Sequence, residues 1–209
     1  MKFLGSLLLL GVGSAIVGPS LQPPSVHAMD QASSNLTRTE NNLKSAVSTT
    51  VRRAQVVEQR ADGNRTALPA ALQDFTLSTQ RLASLRENLA HDITAYEEAR
   101  AKKMDEFTKE LGDIKDEGTR RAMENLRRHA EEQAAERLAL ARAALTGLDD
   151  TLAQGADLQH AARCVMLADE FNTQGEDLDA TVRQAKTQAS SYAAVTSDLL
   201  ARITRALTT

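Results

Sequence analysis

The residues able to carry chemistry are few and scattered. Cys164 is the one cysteine in 209 residues, so an intramolecular disulfide and cysteine-based zinc sites are both excluded. A lone thiol in an exported chain can form an intermolecular disulfide or carry a modification. Its setting, Ala161-Ala162-Arg163-Cys164-Val165-Met166-Leu167-Ala168, favours the alternative of a small buried hydrophobe. Beyond residue 28 the histidines are His91, His129 and His160. Helical carboxylate centres hold two metals with glutamates and two Glu-x-x-His pairs that face inward. Asp157-x-x-His160 and Glu87-x-x-x-His91 come nearest to that pattern, and neither is duplicated. No metal ligand set is assigned, and the histidines are read as solvated or partly packed.

The densest basic run is Arg120, Arg121, Arg127, Arg128 and His129, and it would suit a phosphate-rich partner. Glu117, Glu124, Glu131 and Glu132 are interleaved with it, and Glu124 precedes Arg128 in the favourable i,i+4 order. The expectation is a charge-laced helix exterior. No Gly-rich phosphate loop, Gly-x-Ser-x-Gly elbow or Ser/His/Asp set is recognisable, so no catalytic or cofactor-binding residue is assigned and a protein that is not an enzyme is expected. The formal charge is −3, becoming −4 once Lys2 leaves with the leader. So even a balance gives no long-range attraction to nucleic acid or anionic lipid, and no nucleic-acid partner is expected.

Residues 1–28 read as a secretory signal peptide. Lys2 gives a short positive start, Phe3 to Val17 carries no charge, and Gly18-Pro19 and Pro23-Pro24 break the run. Val26-His27-Ala28 then offers small residues at the two positions a signal peptidase reads. The apolar stretch is about 15 residues, short of the roughly 20 a spanning helix needs. Cleavage is therefore expected, with no stable membrane insertion afterwards and a periplasmic or secreted location. A retained anchor is the alternative. No cysteine follows the apolar run, which excludes a lipid-anchored cleavage site there.

Residues 29–209 are expected to form a single helical coiled-coil domain. Ala, Leu, Glu, Arg and Gln dominate, while aromatics make up 3% of the chain, and that balance favours helix over strand. Leu36, Leu43, Val47, Val51, Ala54 and Val57 mark one face of a first helix over 30–62, which Gly63-Asn64 ends. Thr66 is the expected N-cap of a second helix, with Pro69 in its first turn. Leu68, Leu72, Phe75, Thr79, Leu82, Leu89, Ile93, Tyr96, Phe107, Leu111 and Ile114 follow a 3.5-residue lattice for about six heptads. Arg86, Arg100 and Lys103 interrupt it.

A turn is expected near Gly112–Thr119. A third helix then carries Met123, Leu126, Ala130, Ala134, Leu138, Ala141, Leu145, Leu148 and Leu152. Gly147 and Gly155 weaken it without stopping it, at about 1 kcal/mol each. Asn172–Gly175 is the next expected break. The fourth helix has the most regular seam, built from Leu178, Val182, Ala185, Ala189, Tyr192, Thr196, Leu199, Ile203 and Ala206. The expected fold is therefore all-α: an elongated antiparallel helical bundle or coiled coil of about four long helices.

The pattern Phe107-x-x-Glu110-Leu111-x-x-Ile114-x-Asp116, followed by Arg120-Arg121, Leu126-Arg127-Arg128 and Leu138-x-x-x-Arg142, resembles an uncharacterised family of bacterial exported helical proteins. Many of its members are lipoproteins, and it is defined only as a domain of unknown function. The likeness runs through Leu158-Gln159-His160 into the last helix, roughly half the chain. The resemblance implies helix, export and coiled coil, and brings no catalytic residue with it. The missing lipid-attachment cysteine is a departure from the family.

The expected function is that of a non-enzymatic scaffold, spacer or helical interaction module of the cell envelope. Self-association or another helical protein would engage the seam at Leu82, Leu89, Ile93, Tyr96, Val182, Tyr192, Leu199 and Ile203. An envelope chaperone or lipid-binding protein with amphipathic helices that open is one alternative, and a metal-binding bundle is another.

Overall fold

The computed structural model describes residues 24–171 and 175–208. Most of the expected signal peptide, residues 1–23, lies outside them. Four α-helices carry the fold: α1 Pro24–Asp62, α2 Leu68–Asp113, α3 Glu117–Glu170 and α4 Glu176–Thr208. Among the described residues there is no strand.

Each boundary has a local cause. The Gly63 amide donates to the Gln59 carbonyl at 3.1 Å and closes α1. A short 3-10 turn, Arg65–Ala67, follows and changes the start of α2. Thr66 is not its N-cap, because the turn directs the Thr66 hydroxyl onto Asn64 Oδ1 at 2.6 Å. Ala67 occupies the cap position with no side-chain bond, and Pro69 sits in the first turn as expected. Asp116 caps α3, accepting from the Thr119 amide and hydroxyl at 2.7 Å each. Those two bonds hold its carboxyl below the ordinary carboxylate range. Residues 172–174 of the expected break after α3 lie outside those described. Gly175, at φ +78°, supplies the left-handed conformation before α4. Glu176, Asp177 and Asp179 then favour the positive end of the α4 dipole.

The helices pack as a ring in which α1 and α3 each touch α2 and α4, while diagonal pairs meet little. Neighbours run antiparallel. Early α1 meets late α2 through Thr39 and Asp92, and late α1 meets early α2 through Arg53 and the Asp74 carbonyl. The same reversal relates Gln159 to Thr79 and Arg142 to Glu97 across α2 and α3. Short loops make this up-down-up-down order the economical one. At 1.5 Å per residue α3 is about 81 Å long, so the bundle is elongated.

Two apolar clusters fill the core. One gathers Phe75, Leu158, Val165, Val182 and Tyr192 towards the 63–67 and 171–175 end. The other runs through Leu43, Leu82, Leu89, Leu148, Leu199 and Ile203. Between them each helix contributes one buried threonine: Thr50, Thr79, Thr151 and Thr196. Each hydroxyl donates to a carbonyl of its own helix at 2.7–2.8 Å. The polar atoms are thereby satisfied, as burial demands.

The two glycines inside α3 are packing devices. A Cβ at Gly155 would lie 3.3 Å from both Thr79 Cγ2 and Tyr192 Cε2, and one at Gly147 would lie 3.3 Å from Arg202 Cδ. Gly155 therefore makes room for the edge-on Phe75–Tyr192 pair, with centroids 5.3 Å apart.

The helices do not end together. The last turn of α4 is level with Arg137, whose Nη1 donates to the Ala206 carbonyl at 2.7 Å. From there α3 continues back to Glu117, about 30 Å beyond α4. α1 also continues past that level, from Glu40 back to Pro24, so the four-helix shaft narrows to α1, α2 and α3, and the tip of the α2–α3 hairpin forms an arm at the far end. Leu111 is the one buried residue between positions 100 and 133.

Candidate interaction surface

The seam expected to receive a partner lies inside the shaft. Leu82, Leu89, Tyr192, Leu199 and Ile203 have no exposed surface, and Tyr96, Ile93 and Val182 retain 3–7%. These residues pack α2 and α4 onto their own neighbours, so the seam is intramolecular. This corrects the expectation of an open docking seam. Four helices in one chain satisfy one another's apolar faces before any partner arrives.

The polar interruptions of the seam are absorbed the same way. Arg86 reaches across to Asp149 at 2.7 Å, and that bond raises the affinity of its guanidinium for its proton. Arg100 Nη2 donates to the Glu131 carbonyl at 3.5 Å. The Thr79 hydroxyl accepts from Gln159 Nε2 at 2.9 Å.

One charged pair in the core was missed by reading the sequence. Arg137 grips Glu40 through both terminal guanidinium nitrogens, one bond measuring 2.9 Å. Arg137 Nη1 also caps the end of α4, and Nη2 lies 3.4 Å from Thr37 Oγ1. The Glu40 side chain is fully buried and that of Arg137 is 12% exposed. Burial pushes the Glu40 carboxyl up, while the bond to Arg137 and its charge pull it back. Tyr96 stands nearby, its phenol raised by burial and lowered by Arg137 and Arg100. A signal was available in the seam, because Glu40 falls four residues after Leu36 and three before Leu43, on the apolar lattice itself.

Tyr192 is a second buried polar feature. Its Oη meets no partner at full hydrogen-bond geometry; the neighbouring Thr50 hydroxyl, whose proton goes to the Ala46 carbonyl, has its oxygen turned to this phenol and partly offsets the effect of burial. Burial pushes this phenol far above its ordinary value.

The other candidates fall apart in space. Cys164 is a free thiol and half-buried, not sealed in the core as its apolar flanks suggested. His91, His129 and His160 are exposed on separate parts of α2 and α3. Among the described residues no group of three or more His, Cys, Asp or Glu side chains converges as a metal site would. Likewise none of the described helices is long and apolar enough to cross a membrane. Within the basic run Arg121 pairs with Glu117. Arg128 donates to Asn125 Oδ1 at 2.9 Å and not to Glu124.

Two surface depressions among the described residues bear on the question. A shallow polar groove of about 200 Å³ lies between α1 and α2, beside Asn35, Arg38 and His91. An open cleft of about 590 Å³ separates α2 from α3 in the arm, bordered by Thr108, Leu111, Arg120 and Arg127. Neither brings a nucleophile, a base and an oxyanion donor together. Compared with known proteins, the chain matches no family model, no curated protein and no solved structure.

Proposed function

We propose that this chain is a non-enzymatic exported spacer of the cell envelope, a helical rod that presents an interaction surface at a distance. The observation that carries this reading is the division of labour along the molecule. The shaft uses its apolar seams internally, and α3 extends about 30 Å past α4, accompanied by α2 and by the first turns of α1, to a tip with little buried surface of its own. A rod with a closed core sets a separation, and its exposed end is free to contact a partner. Export rests on the leader-like residues 1–28 and on the resemblance to exported helical proteins.

Two measurements test the reading. Small-angle scattering of the purified protein should give a rod whose long dimension approaches the length of α3. A compact particle would overturn the spacer. Expression with and without residues 1–28, followed by fractionation, should place only the longer form outside the cytoplasm, and equal retention of both would overturn export. Strong binding of a hydrophobic dye without denaturant would favour a chaperone whose helices open.

A further inference from the structure

We propose that Asn64, in the loop between α1 and α2, is an acceptor for an asparagine-linked oligosaccharide. The donor is an oligosaccharide carried on a lipid diphosphate. The inference rests on the export half of the proposed function, because such transfer takes place outside the cytoplasm.

Two triplets in the chain have the Asn-x-Ser/Thr spacing, Asn35-Leu36-Thr37 and Asn64-Arg65-Thr66. The fold separates them. Asn35 lies inside α1 and is half-buried, and Leu36 beside it is sealed in the core. Residues two apart on a helix do not face one another, so the side chains of Asn35 and Thr37 cannot meet. Use of that triplet would require α1 to unwind and Leu36 to leave the core.

Asn64 differs on each count. It stands just past the end of α1, at φ −89° and ψ 82°, outside the helical region. Asp62, Gly63, Asn64 and Thr66 are all exposed. Thr66 turns back on the asparagine, its hydroxyl donating to Asn64 Oδ1 at 2.6 Å. That bond engages the amide oxygen and leaves Nδ2, the atom that takes the sugar, unbonded. Asp62 adds a carboxylate two positions before the asparagine, giving Asp62-Gly63-Asn64-Arg65-Thr66. The bacterial form of the acceptor motif carries an acidic residue at that place, where the Asn35 triplet has Ser33.

Only weak contacts oppose an enzyme that must grasp the loop. Asp62 pairs with Lys186 at 2.8 Å and Arg65 with Asp169 at 3.5 Å, and each of the four side chains is at least 28% exposed. The turn after Asn64 is a single 3-10 turn, Arg65–Ala67, with no buried residue. The segment can therefore open without disturbing the core that begins at Leu68. In the transfer, Asn64 Nδ2 bonds to the anomeric carbon of the first sugar as that carbon's bond to the diphosphate oxygen breaks. The lipid diphosphate leaves with the electron pair, the amide nitrogen gives up one proton to solvent, and nothing is oxidised or reduced.

Intact-mass spectrometry of the chain isolated from its source, followed by peptide sequencing, tests the assignment. The expected result is a chain heavier by whole sugar units, all carried on the peptide that holds Asn64. In vitro, a purified bacterial oligosaccharyltransferase given a lipid-diphosphate-linked oligosaccharide should modify the folded chain at Asn64 and leave Asn35 bare. Asn64→Gln and Thr66→Val should abolish the mass gain, and Thr66→Ser should retain it. Asp62→Ala should slow the transfer roughly tenfold, as loss of one charged contact to the enzyme does. These positions are exposed, so helicity and melting should match the wild type. A chain outside the cytoplasm without sugar overturns the acceptor site and leaves export standing, and so does a folded chain that takes no sugar in vitro. A chain held in the cytoplasm with residues 1–28 attached overturns export and the acceptor site together. Sugar on Asn35 overturns it as well, since the shape of the loop would then not select the residue.

Discussion

Arg137→Met isolates the buried charge that ties three helices together. Methionine fills much of the same space but offers no donor. The Glu40 carboxylate, with no exposed surface, would lose both its bonds and its counter-charge, and the Ala206 carbonyl would lose its cap. Stranding a charge in this way costs about 3–5 kcal/mol. At about 2–4 °C per kcal/mol for a chain of this size, the melting temperature should fall by about 6–20 °C at neutral pH. The loss should also depend on pH. Burial already raises the Glu40 carboxyl, and Arg137 supplies the two influences that lower it, so the variant's carboxyl rises further. A folded-state pKa above the unfolded one means that the folded state holds the proton more tightly. The stability is then fully present below the unfolded value and is lost as pH rises through the folded one. Unfolding in urea, followed by circular dichroism, should therefore show a deficit that shrinks in mildly acid buffer. Adding Glu40→Leu to Arg137→Met removes the stranded charge and should recover most of the loss. A double variant no more stable than the single one would refute the reasoning, because lost packing and not the orphaned carboxylate would then be the cause.

Three further changes probe the shaft. Tyr192→Phe deletes a buried hydroxyl that meets no partner at full hydrogen-bond geometry, so stability should hold or rise by about 1 kcal/mol; a clear fall in the urea midpoint would show that the hydroxyl is bonded. Gly155→Val crowds Thr79 and Tyr192 and should cost about 1–3 kcal/mol, whereas Gly112→Ala, where a Cβ meets nothing within 4 Å, should be neutral or stabilising by calorimetry. Leu89→Asp with Ile93→Asp places two carboxylates in the core and should abolish cooperative unfolding, and unchanged helicity and melting would contradict the packing described.

Much of the fold is legible in the residues. The lattice from Leu178 to Ala206 maps onto the buried face of α4, and that from Leu68 to Tyr96 onto the buried face of α2. Gly63, Asp116 and Gly175 announce helix ends because their local requirements are met within a few residues. Local pattern does not reveal which face meets which. The seam at Leu82, Leu89, Val182 and Leu199 looks equally suited to a neighbour in the same chain or in another, since burial of an apolar face is non-directional. The pairing of Glu40 with Arg137 spans 97 positions and depends on the registers of both α1 and α3. The length of the arm is hidden for a related reason. Phe107 and Ile114 keep the heptad spacing of the shaft, and only the points where α1 begins and α4 stops determine that they are left half-covered.

The stagger of the helix ends also bears on how the molecule comes apart. A cut in the turn between Asp113 and Glu117 would sever no contact of the shaft and would yield two pieces, each a pair of antiparallel helices joined by its own loop. The faces by which α1 meets α4 and α2 meets α3 would remain shared between the pieces, with the Glu40–Arg137 bond bridging them. The halves should stay associated after such a nick and should reassemble when made separately. Backbone amides near the turn should exchange with solvent long before those beside Phe75 or Leu148, because opening the tip separates two helices and opening the shaft separates four.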